Sequence, residues 1–161
     1  MPDLERLADR HAAALLRFER DNRAWFARTI PDRGDGYFAG FDARHAALLA
    51  EQATGGCHFH VMVDDDGAVL GRFNLVDVVD GGAELGYRVA ERAAGRGLAT
   101  AGVRQVCDLA RDEYGLTRLT AVTTLDNPGS LAVLRRTGFT PVGELLLDGR
   151  PGLRHVRELG D

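Results

Sequence analysis

Residues 83–100, Ala-Glu-Leu-Gly-Tyr-Arg-Val-Ala-Glu-Arg-Ala-Ala-Gly-Arg-Gly-Leu-Ala-Thr, constrain the fold more than any other stretch of this 161-residue chain. Ala83 to Val89 alternates well enough to predict a strand. Arg92-Ala-Ala-Gly95-Arg-Gly97 then turns, and the apolar periodic segment after it predicts a helix. A strand, a glycine turn and a helix start together make an anion site. N–H groups at a helix N-terminus lack intrahelical acceptors, and the macrodipole adds partial positive charge there. Gly95 and Gly97 allow positive φ and a close backbone approach, while Arg92 and Arg96 add cations suited to phosphate oxygens. The stretch reads as a pyrophosphate cradle.

Two common glycine loops do not match it. A Walker loop needs Gly-Lys-Ser/Thr, and the chain has no lysine. A dinucleotide fingerprint needs Gly or Ala at the sixth position, where Thr100 stands, and its first strand is more apolar than Ala83 to Val89. What remains, Arg92-x-x-Gly95-x-Gly97-Leu-Ala-Thr, resembles the acetyl-CoA loop of the GCN5-related N-acetyltransferase (GNAT) superfamily, Gln/Arg-x-x-Gly-x-Gly/Ala. The preceding Glu84-Leu-Gly-Tyr-Arg-Val is similar to a strand of its RimJ/RimL-type branch, which acetylates ribosomal-protein N-termini.

In chain order, Leu4 to Leu7 predicts a strand or coil, and a helical stretch with Leu15, Leu16, Phe18, Trp25 and Phe26 follows. Pro31 to Gly36 predicts a loop. A helix is expected over Asp42 to Ala53, with Asp42 as N-cap and Ala46, Leu49 and Ala50 on its packed face. His58 to Val63 and Val69 to Val79 predict a hairpin about Asp64-Asp-Asp-Gly67. With Ala83 to Val89 they make three consecutive antiparallel strands. After the glycine loop a helix is expected over Leu98 to Tyr114, its stripe made by Ala99, Val103, Val106, Cys107, Ala110 and Tyr114, with Gly115 past its end. Arg118 to Thr124 predicts a strand. Asn127 and Pro128 then cap a short helix that Gly138 ends. Phe139 starts a further strand, and Gly143 to Gly149 with Leu153 to Leu159 predicts a terminal hairpin.

That short helix carries a second signature. Asn127-x-x-Ser130-x-x-Val133-Leu134-x-x-x-Gly138-Phe139 resembles the family's motif beside the CoA thiol, in the family's order. Asn22-Arg23, Trp25-Phe26, Pro31 and Tyr37-Phe38 are similar to the substrate-side helices of the RimJ-type branch. The resemblance implies one GNAT domain over residues 1–161, in the α/β (α+β) class. Its sheet would be twisted, mixed and mainly antiparallel, of about seven strands with helices on both faces. The fourth and fifth strands would splay to admit the pantetheine. It further implies main-chain pairing at Tyr87, Arg88 and Val89, and pyrophosphate binding by Arg92, Gly95, Arg96, Gly97, Leu98, Ala99 and Thr100. Asn127 and Ser130 would stand near the reacting centre.

Acetyl transfer to an amine needs a neutral nucleophile, a polarised thioester carbonyl and a route for the leaving thiolate. Glu84 is the candidate base. Partial desolvation would raise its pKa from ~4.3 toward neutrality. The competing reading is an ion pair with Arg88 on the same strand face. The carbonyl oxygen would be held by a backbone N–H near Val89. Many family members protonate the thiolate with a tyrosine at the position where this chain has Leu134, so Ser130 is the candidate acid, its alternative being a helix cap. Trp25, Tyr37 and Phe38 line the acceptor site or pack the core. His58 and His60 read as ordinary strand histidines, so no metal is expected.

Composition trims the function classes. The net charge of −4 argues against a general nucleic-acid binder, and without lysine there is no Schiff-base chemistry. Cys57 and Cys107 lack zinc spacing, with Cys107 expected buried. No apolar run spans a bilayer and no signal peptide is present, which predicts a cytoplasmic protein. The expected activity is acetyl-CoA-dependent N-acetylation of a primary amine, with a protein N-terminal α-amine as the branch-level acceptor. A small amine (polyamine, amino acid or antibiotic) and a non-catalytic acyl-CoA sensor are the alternatives. A homodimer is suggested only by analogy with relatives.

Overall fold

A computed structural model describes residues 2–160. Its centre is a seven-stranded sheet of order β1-β2-β3-β4-β5-β7-β6. The strands are β1 (Leu4–Arg6), β2 (His58–Val63), β3 (Val69–Val79), β4 (Gly82–Val89), β5 (Arg118–Thr124), β6 (Thr140–Leu147) and β7 (Arg150–Glu158). Every neighbouring pair is antiparallel except β4 and β5, which run parallel because the connection between them is a crossover helix. This is the mixed α/β sheet expected, and β2 and β3 occupy the predicted spans.

The helices are α1 (Ala12–Asp21), α2 (Arg23–Phe26), α3 (Asp35–Ala39), α4 (Phe41–Ala53), α5 (Leu98–Asp112) and α6 (Pro128–Arg136). Alternation along β3 assigns them to faces. Arg72 meets Glu19 of α1, whereas the next residue, Phe73, lies under Gly102 of α5. Consecutive strand residues point to opposite faces, so α1 and α5 cover opposite sides of the sheet. Phe73, Leu15, Leu75, Leu119, Val103 and Val106 are fully buried between these layers. Among the described residues no helix is long and apolar enough to cross a membrane.

Several local expectations need correction. Helix α4 starts at Phe41 after Gly40, so Asp42 lies in its first turn and is not its N-cap. Its packed face is Phe41, His45 and Gln52, while Ala46 and Ala50 are exposed and Leu49 is half-buried. Hydrogen bonds explain the difference. Gln52 Nε2 donates to the Leu7 carbonyl at 3.0 Å and its Oε1 accepts from Phe59 N–H at 2.8 Å. His45 Nε2 stands 3.2 Å from the Ala8 carbonyl. Buried main-chain groups thus recruit polar side chains that an apolar count passes over. The predicted loop 31–36 ends in the short helix α3, stapled by Arg23, whose guanidinium donates to Asp32 and Asp35 at 2.8 and 2.9 Å. Helix α5 ends at Asp112, which releases Tyr114 to stack on His58. Phe139 does not open a separate strand: β6 is one strand from Thr140, with a register shift between Pro141 and Gly143.

Candidate active site

The parallel ladder between β4 and β5 is short. Gly82, Ala83 and Glu84 pair with Arg118, Leu119 and Thr120, and beyond Glu84 the strands part. Residues Leu85 to Val89 keep their β3 partners and face an opening on the other side. The polarity of that edge follows from one bond. Ala90 N–H reaches the Leu70 carbonyl on the β3 side at 2.8 Å. Backbone groups alternate sides along a strand, so Tyr87 and Val89 direct their N–H and C=O groups into the opening. Trp25 Nε1–H already donates to the Val89 carbonyl at 3.2 Å.

The opening leads into a cleft of about 730 Å³. One wall is the turn into α5. Gly95 and Gly97 have φ of 75° and 76°, a region that admits glycine without strain, and Gly97 is the left-handed N-cap of α5. Intrahelical bonding starts only with Ala101 N–H to the Gly97 carbonyl at 3.0 Å. The N–H groups of Gly95 through Thr100 have no acceptor among the described residues. Six consecutive free donors at a helix N-terminus suit an anionic group. The other wall is α6, where Asn127 Oδ1 accepts from Ser130 N–H at 3.2 Å and Pro128 takes the first position. Ser130 is therefore held by a cap that leaves its hydroxyl free. That hydroxyl lies 2.9 Å from the Tyr87 hydroxyl across the cleft. Burial pushes the Tyr87 phenol up and the Ser130 hydrogen bond opposes it, so Tyr87 stays protonated at neutral pH.

The structure gathers most, though not all, of the residues expected at the site. Tyr87, Arg88, Val89, Gly95, Gly97, Leu98, Ala99, Thr100, Asn127 and Ser130 line the cleft. Arg92 and Arg96 do not line it. Arg92 lies in the helical turn Glu91–Ala93 and donates outward to Asp64 Oδ2 at 3.2 Å. Glu84 does not line the cleft either; it stands half-buried at the last rung before the strands part. It makes no ion pair among the described residues, and the competing reading of a pair with Arg88 fails because Arg88 donates to Glu19 at 3.2 Å. Burial alone would raise the Glu19 carboxyl, but Arg72, Arg33 and Arg88 together hold it below its usual range. Burial lowers Arg88 to about 10, which leaves it charged at neutral pH.

Sequence reading missed Arg28 and Arg136, which bring cations to the cleft in place of Arg92 and Arg96. Arg136 had a signal: Gly129, Ala132, Val133 and Arg136 all line the cleft and follow the spacing of one helical face. Arg28 had none, because α2 reaches β4 by a contact distant in sequence. Trp25, named as an acceptor-site or core residue, lines the cleft with Arg28 5.0 Å above its ring. His58 and His60 are buried in β2, and the described residues hold no cluster of three or more His, Cys, Asp or Glu spaced for a metal.

Residues 3–140 match the family model described as an acetyltransferase (GNAT) domain. YdaF of Bacillus subtilis, named as a candidate ribosomal N-acetyltransferase, is 35% identical over 81 residues, 49% of this chain and 44% of YdaF. The chain thus spans less than half of that relative. The RimJ structure of Mycobacterium smegmatis, solved with CoA-disulfide, is 26% identical with a TM-score of 0.86 over 96% of this chain and 80% of RimJ. The ribosomal-protein-S5-alanine acetyltransferase of Vibrio fischeri superposes with a TM-score of 0.91 at 20% identity, over 98% of this chain and 93% of its own.

Proposed function

We propose an acyl donor and an acceptor for this enzyme from one premise: the chain belongs to the GNAT family of N-acetyltransferases. The donor is acetyl-CoA, and the acceptor is a protein N-terminal α-amine. The whole of residues 1–161 forms one acetyltransferase domain, whose end residues Met1 and Asp161 lie outside those described. The observation that carries the donor is the run of free N–H groups from Gly95 to Thr100, opening into the same cleft as the free edge of β4. A pyrophosphate suits the first and an extended pantetheine amide chain the second. Arg28 and Arg136 supply the charge once expected of Arg92 and Arg96. The CoA-containing RimJ structure supports the same reading. For the acceptor, support comes from the name carried by YdaF.

The amine nitrogen attacks the thioester carbonyl carbon, the C–S bond breaks, and an amide and a thiol result. Val89 N–H, turned into the opening, polarises the carbonyl oxygen. Glu84, at the fork and without a competing ion pair among the described residues, takes the amine proton through a water. Ser130 gives its hydroxyl proton to the departing sulfur while accepting a hydrogen bond from Tyr87. Leu134 is 1% exposed, does not line the cleft and has no proton to give.

Calorimetry with acetyl-CoA and CoA tests the donor. Wild type should bind both, and Gly97→Trp should weaken binding at least about 100-fold, because a bulky residue at φ of 76° is strained and covers the free donors. Failure of wild type to bind either compound would overturn the donor. Thiol release over a panel of amines then tests the acceptor, and a preference for small amines over every peptide would overturn that part.

A further inference from the structure

Behind the cleft, arginine outnumbers the carboxylates available to neutralise it. Glu19, 1% exposed, accepts from Arg72 at 2.8 Å, Arg33 at 3.0 Å and Arg88 at 3.2 Å. One carboxylate cannot balance three guanidiniums, so the cluster keeps excess positive charge where water screens it poorly. Arg88 faces the cleft. Arg33 faces a second concavity of about 400 Å³, shared with Tyr37 and Arg44. Both donate to Glu19 Oε1, so one buried carboxylate joins the arginine of the cleft to the arginine of the concavity. Over Tyr37, Arg33 stands 4.4 Å and Arg44 5.6 Å from the ring centroid. Arg44 has no ion pair among the described residues. Asp32 and Asp35, beside Arg33 along the chain, are both turned to Arg23, and Asp42, two residues before Arg44, makes no ion pair among the described residues.

We infer that this concavity is a subsite for a carboxylate on the acceptor, so that the preferred substrate is a peptide with Asp or Glu directly after its N-terminal residue. The inference rests on the proposed N-terminal acetyltransferase activity and narrows its substrate class. Arg33 and Arg44 project planar donor arrays over the Tyr37 ring, a geometry that suits a carboxylate. The same excess charge repels a polyamine or a Lys side chain.

The test is thiol release from acetyl-CoA by the full chain, with three tetrapeptides that differ only at the second position: Glu, Ala or Lys. Free glutamate and spermidine complete the panel. The expected order is Glu above Ala above Lys, with about a tenfold step in kcat/KM between Glu and Ala. Arg44→Gln should collapse that step, and Arg44→Glu should invert the order of Glu and Lys. Arg44 is exposed and makes no ion pair among the described residues, so neither change threatens folding, which circular dichroism verifies. Equal rates on the three peptides, a Lys preference, or a step that survives Arg44→Gln overturns the subsite and leaves N-terminal acetylation standing. Faster turnover of spermidine or free glutamate than of any peptide, or no turnover of any amine, overturns both.

Discussion

At the scale of the residue, Glu84 and Ser130 are expected to act on opposite protons, and the pH profile separates them. An α-amine titrates near ~7.7–8.0, so below that range it needs a base and above it much less. Glu84→Gln should lower kcat/KM about 100-fold at pH 6.5, with the deficit shrinking as pH approaches 9. Ser130→Ala should lower kcat about tenfold at every pH and leave KM unchanged, since a thiol of pKa ~8.5 is already a fair leaving group. A flat Glu84→Gln deficit would mean that Glu84 positions structure and takes no proton. Tyr87 was legible only as main chain; its hydroxyl contact with Ser130 joins two elements far apart in sequence. Arg92 and Arg96 show the limit of motif reading. A motif gives spacing, but the helical turn at Glu91–Ala93 decides side-chain direction, and it aims Arg92 at Asp64.

At the scale of the element, the sheet was legible because its strands declare themselves locally. Alternating apolar residues bounded by Asp64-Asp-Asp-Gly67 leave little freedom in the β2–β3 hairpin, and Gly67 has the positive φ that its turn requires. Helix faces were less legible where polar residues are buried: α4 docks through His45 and Gln52, which no apolar stripe announces. The stripe on α5 was read, yet its closest approach to the sheet is at Gly102, outside that stripe. A Cβ there would stand 2.5 Å from Phe73 Cε2 and 2.7 Å from its Cε1, with Cζ closer still, and Phe73 is fully buried. Two effects oppose each other in Gly102→Ala. Helix propensity favours Ala by ~1 kcal/mol, whereas forcing apart a packed helix and sheet costs ~1–3 kcal/mol. The clash should win, giving a net loss of up to about 2 kcal/mol in urea unfolding. A gain in stability would mean that α5 can slide on the sheet without cost.

At the scale of the whole molecule, one cluster ties the N-terminal strand, the sheet and the end of α5 together, and it makes the fold sensitive to acid. His60 of β2 is 1% exposed; its Nδ1 faces the Phe73 carbonyl at 3.1 Å and its Nε2 faces the Tyr114 hydroxyl. Arg6 of β1 donates to the same hydroxyl at 2.9 Å, and His58 stacks on the Tyr114 ring at 3.7 Å. A neutral imidazole satisfies this set, donating from Nδ1 and accepting at Nε2. Burial lowers the His60 pKa from 6.5 to about 4, with Arg6 and His58 adding to the effect and the Phe73 carbonyl opposing it. The unfolded chain therefore binds a proton near pH 6.5 that the folded chain refuses until about pH 4. Stability is full above pH 6.5 and falls as pH drops through that window, by up to about 3 kcal/mol. Burial and Arg6 lower His58 as well, so its contribution has the same sign. The Glu19 carboxyl, lowered from 4.5, keeps its contribution down to about pH 4.5 and loses it only below that. Urea midpoints measured from pH 7.5 to 4 should decline mainly between 6.5 and 4, with the slope flattened in His60→Gln whatever that variant's baseline. A decline that begins only below pH 4.5, or a slope unchanged in His60→Gln, would assign acid sensitivity to carboxylates and remove His60 from the account.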